Sequence, residues 1–246
     1  MYNTLKSVVK TILPERFIIR NEDRFRKLLE PFYSGNTHYC NICDTSLRKF
    51  AKLHFGDEIC PVCGSLPRTR RLYKLLSAEF LKADFAILDF SPSRALYRKL
   101  QKRKDLKYFA TDFEDEFLSD YRFDITNIEQ PDEKFDVIMC YHILEHVPDD
   151  EKAISELYRV LKQNGTLLVQ TPFKDGEIYE DFSVTKPEDR LKHFGQIDHV
   201  RIYSASGLQK RLQKAGFETE IRQFDADFYY GLADNEKIII CKKKLR

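Results

Sequence analysis

The stretch from Lys134 to Thr171, KFDVIMCYHILEHVPDDEKAISELYRVLKQNGTLLVQT, decides the fold. Its opening, Phe135–Tyr141, is an almost unbroken apolar run of the kind a strand buried on both faces requires. After Pro148 the period changes. Ile154, Leu157, Tyr158 and Leu161 recur at i, i+3, i+4 and i+7, with Gly165 shortly beyond, which predicts an amphipathic helix. TLLVQT then reads as another strand. A strand, a helix and a strand in that order imply parallel neighbours joined by a crossover.

Working outward, FAILDF (85–90) is a short apolar strand. The segment after it predicts a helix with Ser91 as N-cap and Pro92 as first helical residue. KYFATD (107–112) reads as a second strand, and RFDITNI (122–128) should hold a third, short one ending at Asp124. Downstream, Ser206–Gln209 has the form of a capping box for a helix closing at Gly216. FETEIRQF and EKIIICKK then form a terminal, antiparallel pair. The expected architecture is a doubly wound, mostly parallel α/β sheet with its ligand crevice at the carboxyl ends of the strands. Phe173–Ile202 has no clean period and is long for a connection, so it is expected to be a lid or binding loop.

His142-Ile-Leu-Glu145-His146 matches H-x-x-E-H, the pattern of inverted zinc peptidases. In those enzymes both histidines ride one long helix. Here the string directly follows a buried strand and precedes a proline, so it marks the rim of the crevice. The residues alone leave open whether His142, Glu145 and His146 hold a metal, move a proton or brace the turn.

The 246 residues allow one large domain or a catalytic domain with an appendage, and 42% apolar with 33% charged residues is ordinary for a globular chain. The net charge of +2 does not suggest a bulk nucleic-acid binder. No apolar run reaches the roughly 20 residues of a membrane span. The basic N-terminus places Leu5, Val8, Val9 and Ile12 on one helical face. It has no secretory signal pattern; docking on the protein body is the simplest reading, with peripheral membrane contact the alternative.

Cys40, Cys43, Cys60 and Cys63 form C-x2-C-x16-C-x2-C, a zinc-ribbon spacing. Two such knuckles supply four thiolates and close a tetrahedral structural zinc site. Disulfides are a poor alternative for a chain without a signal, and the expected location is the cytoplasm. His38 and His54 read as surface or packing residues, and Cys140 and Cys241 as buried thiols. The expected organisation is a helical segment over 1–36, the ribbon over 37–66 and an α/β domain over 67–246.

Asp89, Asp112 and Asp124 each fall at an expected strand end. Such a carboxylate after the second strand suits ribose hydroxyls, and one after the third suits an adenine amino group. ILDF, ATDF, FDITNI, the 135–173 stretch and HFGQIDHVRIYS…LQKRLQKAGF together resemble a class I S-adenosylmethionine-dependent methyltransferase, from about Phe85 to the C-terminus. With the four-cysteine ribbon and CPVCGSLPRTRRLYKLL, the chain is similar to bacterial methyltransferases carrying an N-terminal zinc ribbon. The resemblance implies a seven-stranded Rossmann-like sheet. It also implies cofactor contacts from Asp89, Ser91, Ser93, Arg94, Asp112, Phe113, Asp124, Ile125 and Cys140. The family's glycine-rich first loop is Phe90-Ser-Pro-Ser93 here; the following helix N-terminus still offers N–H groups to a carboxylate.

Catalytic candidates lie after the fourth strand (His142, Glu145, His146) and after the fifth (His193, His199, with Arg190, Gln196, Asp198 and Arg201 nearby). The acceptor that the resemblance favours is a hydroxyl on a polar small molecule or a saccharide. RNA is the alternative, with PRTRRLYK and RKLQKRK as phosphate contacts. A ribbon-based binding module with a degenerate methyltransferase domain is a third reading.

Overall fold

A computed structural model describes residues 15–53 and 56–244. The amphipathic stripe Leu5–Ile12 and His54 lie outside the described residues. The chain divides into two compact units. One comprises the chain to Glu79, Ser93–Lys102 and Asp225–Asn235; the other comprises Phe80–Pro92, Arg103–Phe224 and Glu236 onward.

The first unit opens with helices α1 (Glu15–Lys27) and α2 (Glu30–Tyr33), followed by strands β1 (Ser34–Cys40), β2 (Thr45–Leu47), β3 (Ala51–Lys52) and β4 (Glu58–Ile59). Both strand pairs, β1–β2 and β3–β4, are antiparallel. Helix α3 (Pro67–Leu75) starts with proline at its first position, where no N–H is needed. Helix α4 (Arg94–Leu100) belongs to the same unit, as does the 225–235 excursion. The guanidinium of Arg70, fully buried, joins these pieces. Its nitrogens donate to the carbonyls of Ser65 (2.6 Å), Tyr230 (2.8 Å), Gly231 (2.6 Å) and Glu58 (3.2 Å). Gly231 has φ +59°, and a Cβ there would lie 2.3 Å from the Phe50 ring, so only glycine fits.

The second unit holds strands β5 (Ala86–Phe90), β6 (Lys107–Thr111), β7 (Phe135–Tyr141) and β8 (Leu161–Gln170), and helix α5 (Asp150–Val160). Strands β9 (Tyr179–Glu180) and β10 (Arg201–Ile202), with helix α6 (Pro187–Phe194) between them, follow β8. Helix α7 (Ala205–Lys214) leads to β11 (Glu218–Phe224) and β12 (Glu236–Lys242). The main sheet has the order β11-β12-β8-β7-β5-β6. β6, β5, β7 and β8 run parallel, while β12 pairs antiparallel with β8 and β11 antiparallel with β12, as expected for the terminal pair. Ile87, Leu88, Ile138, Met139, Leu167 and Leu168 are almost wholly buried. Burying each such side chain contributes about 1.5–3 kcal/mol. Helix α5 lays Ala153, Ile154, Leu157 and Val160 on this core, and Asp149 caps it by accepting from Lys152 N (3.0 Å).

Three sequence expectations need correction, and one segment without a readable period gains structure. Among the described residues the sheet has six strands, not seven, because the segment around Asp124 makes isolated bridges (Thr111–Tyr121 and Asp124–Asn127) rather than a strand. Asp124 Oδ1 accepts from Thr126 N and Thr126 Oγ1, both at 2.8 Å, and this local turn competes with ladder pairing. Ser93 rather than Ser91 caps α4, while Ser91 adopts a left-handed φ of +46°. Ser204 rather than Ser206 caps α7, accepting from Gly207 N at 3.1 Å; an extended backbone at Ser204 makes it the N-cap. The 173–202 segment, unreadable by period, contains the β9–β10 pair and helix α6.

Candidate active site and metal centre

The strand ends of the second unit carry the acidic residues. Asp89, the penultimate residue of β5, is buried and accepts from Tyr108 Oη at 2.8 Å. Burial pushes its carboxyl up to about 7. Asp112 follows β6. Its Oδ1 accepts from Ser91 Oγ (2.6 Å) and its Oδ2 from the amides of Glu116 (2.6 Å) and Phe117 (3.0 Å). Two acceptor carboxylates at adjacent strand ends suit a ribose and a cationic group, and a buried Asp89 served by one hydroxyl would gain from a cation. On donor chemistry, the residues fit a nucleoside cofactor.

The remaining cofactor candidates differ in how far their side chains are committed. Ser93 Oγ accepts from Leu96 N (3.4 Å) and lies 3.3 Å from Thr69 Oγ1. Arg94 Nη1 is paired with Glu22 (2.8 Å), a partner that sequence reasoning did not supply. Phe113 is half exposed with the Arg122 guanidinium over its ring at 5.2 Å. Ile125 and Cys140 are buried in the core, where desolvation pushes the Cys140 thiol well up.

At the end of β7, His142 takes a left-handed φ of +56° and donates its amide to Gln170 O (2.8 Å). A non-glycine residue held there stores backbone strain, a feature common at functional rims. Glu145 is 1% exposed, and neither carboxylate oxygen has a hydrogen-bond partner among the described residues. His142 Nδ1 stands 3.4 Å from Glu145 Oε1. His146 Nδ1 lies 3.2 Å from Asp198 Oδ2, and the His146 and His199 rings meet edge to face with centroids 4.7 Å apart. Ligand atoms of Glu145, His146 and His199 all lie within 4.8 Å of one another. Burial first, then the neighbouring His146, holds the His199 imidazole below its ordinary value.

His193 stands outside this group. It sits on α6 with Nδ1 2.6 Å from Tyr179 Oη. Sequence reasoning missed three neighbours that brace the rim: Tyr203, Asp150 and Glu180. The side chains of Arg201 and Arg211 link Asp150 to Glu180, and Tyr203 Oη donates to Asp150. Asp150 was legible only as a helix-start acid, and nothing in the sequence paired it with β9.

In the first unit the four cysteines converge. Cys40 and Cys63 Sγ are 3.6 Å apart, and Cys43 and Cys60 Sγ 3.7 Å. Four thiolates at about 2.3 Å from one tetrahedral ion would be about 3.8 Å apart, so the cluster fits zinc. Ser65 Oγ lies 3.3 Å from Cys40 Sγ and 3.2 Å from Cys63 Sγ, in the position of an outer hydrogen-bonding group. His38 packs between Phe50 and Phe228 with Nδ1 2.8 Å from Phe228 O, so it is a packing residue as expected.

The family described as "Methyltransferase domain" matches residues 55–220, and the chain belongs to it. A probable S-adenosylmethionine-dependent methyltransferase of Mycolicibacterium smegmatis is 32% identical over 39% of this chain and 34% of its own length. A ubiquinone biosynthesis O-methyltransferase of Thiobacillus denitrificans is 30% identical over 35% of this chain and 38% of its own. The chain thus spans little more than a third of these two relatives. A SAM-dependent methyltransferase of Archaeoglobus fulgidus superposes with a TM-score of 0.53 at 16% identity, covering 72% of this chain and 93% of that one. The fold is therefore that of the S-adenosylmethionine-dependent methyltransferases.

Proposed function

We propose that the chain is an S-adenosylmethionine-dependent methyltransferase acting on a hydroxyl oxygen of a polar small molecule or saccharide. The observation that carries this reading is the His146–Asp198 pair beside His199 at the carboxyl end of the sheet. When bound, the cofactor supplies a methyl group on a sulfonium, an excellent leaving group. The protein's part is alignment and proton removal. Alignment alone contributes about 7–11 kcal/mol. Asp198 orients the His146 ring through Nδ1 and leaves Nε2 to take the acceptor proton. His199, its imidazole held below its ordinary value by burial and by His146, is the second base candidate. His142 and Glu145 shape the turn, and His193 with Tyr179 contributes to acceptor contact. The cofactor contacts we assign in the second unit are Asp89, Ser91, Asp112, Phe113, Asp124, Ile125 and Cys140; Ser93 and Arg94, in the first unit, are assigned by the family resemblance. We assign a zinc ribbon to the cysteine knuckles of 37–66, within the unit that also holds α3, α4 and residues 225–235. The location we assign is the cytoplasm; no helix among the described residues is long and apolar enough to cross a membrane.

The state of four of the basic residues, Arg70, Arg71, Arg98 and Lys99, weakens the RNA reading. In PRTRRLYK, Arg70 and Arg71 are buried and donate to backbone carbonyls. In RKLQKRK, Lys99 pairs with Asp44 and Arg98 lies 3.9 Å from Asp23. Charges committed in this way are poor phosphate contacts.

A second, metal-assisted reading is favoured by one observation, the buried Glu145 carboxylate without a hydrogen-bond donor. Buried carboxyl oxygens without a hydrogen-bond partner are costly, and a divalent ion held with His146 and His199 would offset that cost. The mixed nitrogen and oxygen donors suit a transition metal. Labelled methyl transfer into fractionated extract, with and without chelator, tests both readings. Label in a saccharide or small-molecule fraction supports the first, and chelator sensitivity restored by one metal supports the second. Absence of S-adenosylhomocysteine binding by calorimetry would leave only a ribbon-based binding module.

A further inference from the structure

The proposed reaction rim is made of two pieces far apart in sequence, the 142–148 turn after β7 and the 198–201 segment that ends in β10. Arg201 joins them. Its side chain is 1% exposed. Nη1 donates to Leu144 O (3.1 Å) and to Val147 O, and Nη2 donates to Pro148 O (2.7 Å). Nε donates to Glu180 Oε2 (3.0 Å) on β9, the residue paired with Arg201 across the β9–β10 ladder. Alongside this, Val200 N donates to Glu145 O (2.9 Å). Both faces of the guanidinium fork are therefore committed, one to the turn that carries Glu145 and His146 and one to the segment that carries His199.

We propose that Arg201 is a positioning residue that sets His146 against His199, so that the rim exists only while the 179–202 segment is seated on the 144–148 turn. Three carbonyls converging on one planar fork require arginine. A lysine ammonium keeps the charge but cannot reach three acceptors and Glu180 with fixed geometry. A carbonyl left unserved in a dry interior is costly, so the turn relaxes when the fork is removed. The second observation supporting a coupled unit is the Asp150–Arg211–Glu180 chain, which braces the same two pieces from behind. Arg201 touches no residue whose chemistry is proposed to act on the acceptor, so its effect passes through the turn.

The inference rests on the rim being the reaction site, but its test does not require turnover. In histidine-labelled protein, the His146 and His199 ring protons should show a mutual nuclear Overhauser effect, which Arg201→Lys should abolish while S-adenosylhomocysteine affinity stays within about threefold. With an acceptor in hand, the same variant should lower kcat more than about tenfold and move the cofactor KM less than about threefold. An Arg201→Lys protein that keeps the ring contact overturns the proposal. Should that variant fail to fold, hydrogen exchange in the unaltered protein decides: Val200 and His146 amides should open together, with protection within about threefold. Exchange of Val200 through openings that leave His146 protected overturns the proposal too. Failure of cofactor binding in the unaltered chain would sink the methyltransferase reading and leave the ring contact to judge the clamp.

Discussion

The four-cysteine pocket and the histidine–glutamate rim are both clusters of metal-capable side chains, and they are built on opposite principles. The cysteines come from two knuckles 16 residues apart, all four sulfurs face each other, and Ser65 and the buried Arg70 close the space around them. The rim draws on residues 142–146 and 198–199, holds a carboxylate without a donor, and leaves His146 partly open to solvent. A set of donors closed on itself holds a fold together. On the proposed reading, a set with an unpartnered buried carboxyl and an open side receives a ligand.

The largest test of this contrast is Cys60→Ser. Structural zinc sites contribute about 10–16 kcal/mol of apparent binding energy, most of it expressed as folding. If the four cysteines hold zinc as proposed, the variant should carry none by atomic emission and become open to protease within residues 34–66. Retention of one tightly held zinc per chain would break the closed-site reading.

Arg70→Met comes next. It leaves carbonyls of Ser65, Glu58, Tyr230 and Gly231 without their shared donor, at about 1–3 kcal/mol for each that water cannot reach. A loss of about 3–6 kcal/mol in urea unfolding is expected. A change below 1 kcal/mol, on the order of a solvated surface substitution, would show that the guanidinium is not the strut.

On the crevice side, Asp89 holds its proton to about 7, against an ordinary value of 3.8. The folded form therefore binds this proton more tightly than the unfolded chain. Its contribution is full below pH 4 and is lost as pH rises through about 7. Asp89→Asn should be close to neutral at pH 4.5 and stabilise the cofactor-free protein by about 2–4 kcal/mol at pH 8. Equal effects at both pH values would remove Asp89 from the titrating crevice.

The smallest effect concerns His199, whose imidazole is held below 6.5 by burial and by His146. Here the unfolded chain binds the proton more readily, so stability declines as pH falls below 6.5. His199→Gln should flatten that acid limb of a thermal melt series. An unaltered limb would place its origin elsewhere.

Much of this was legible in advance because it is local. Strands β5, β7, β8 and β12 announce themselves by apolar runs, α5 by its period, and the cysteines by spacing. Ser91 and Ser93 show where local signals stop. Both are good caps two residues apart, and the choice went to Ser93 because Ser91 turns left-handed and gives its hydroxyl to Asp112. Asp124 likewise looked like a strand end and instead closes a turn on Thr126.

By itself the sequence determined strands β5 to β8, β11 and β12 with helix α5 between β7 and β8, their largely parallel order, Asp89 and Asp112 at strand ends, and the cysteine set. Each of these depends on residues within about one element of each other, where propensity and period act directly. Only the tertiary structure decided that Arg70 and Arg71 are interior struts rather than a basic face, that Glu145 is buried without a donor, and that His146 meets His199. Those outcomes depend on which distant carbonyls and rings share an interior, and desolvation makes that choice only once the chain has closed on itself.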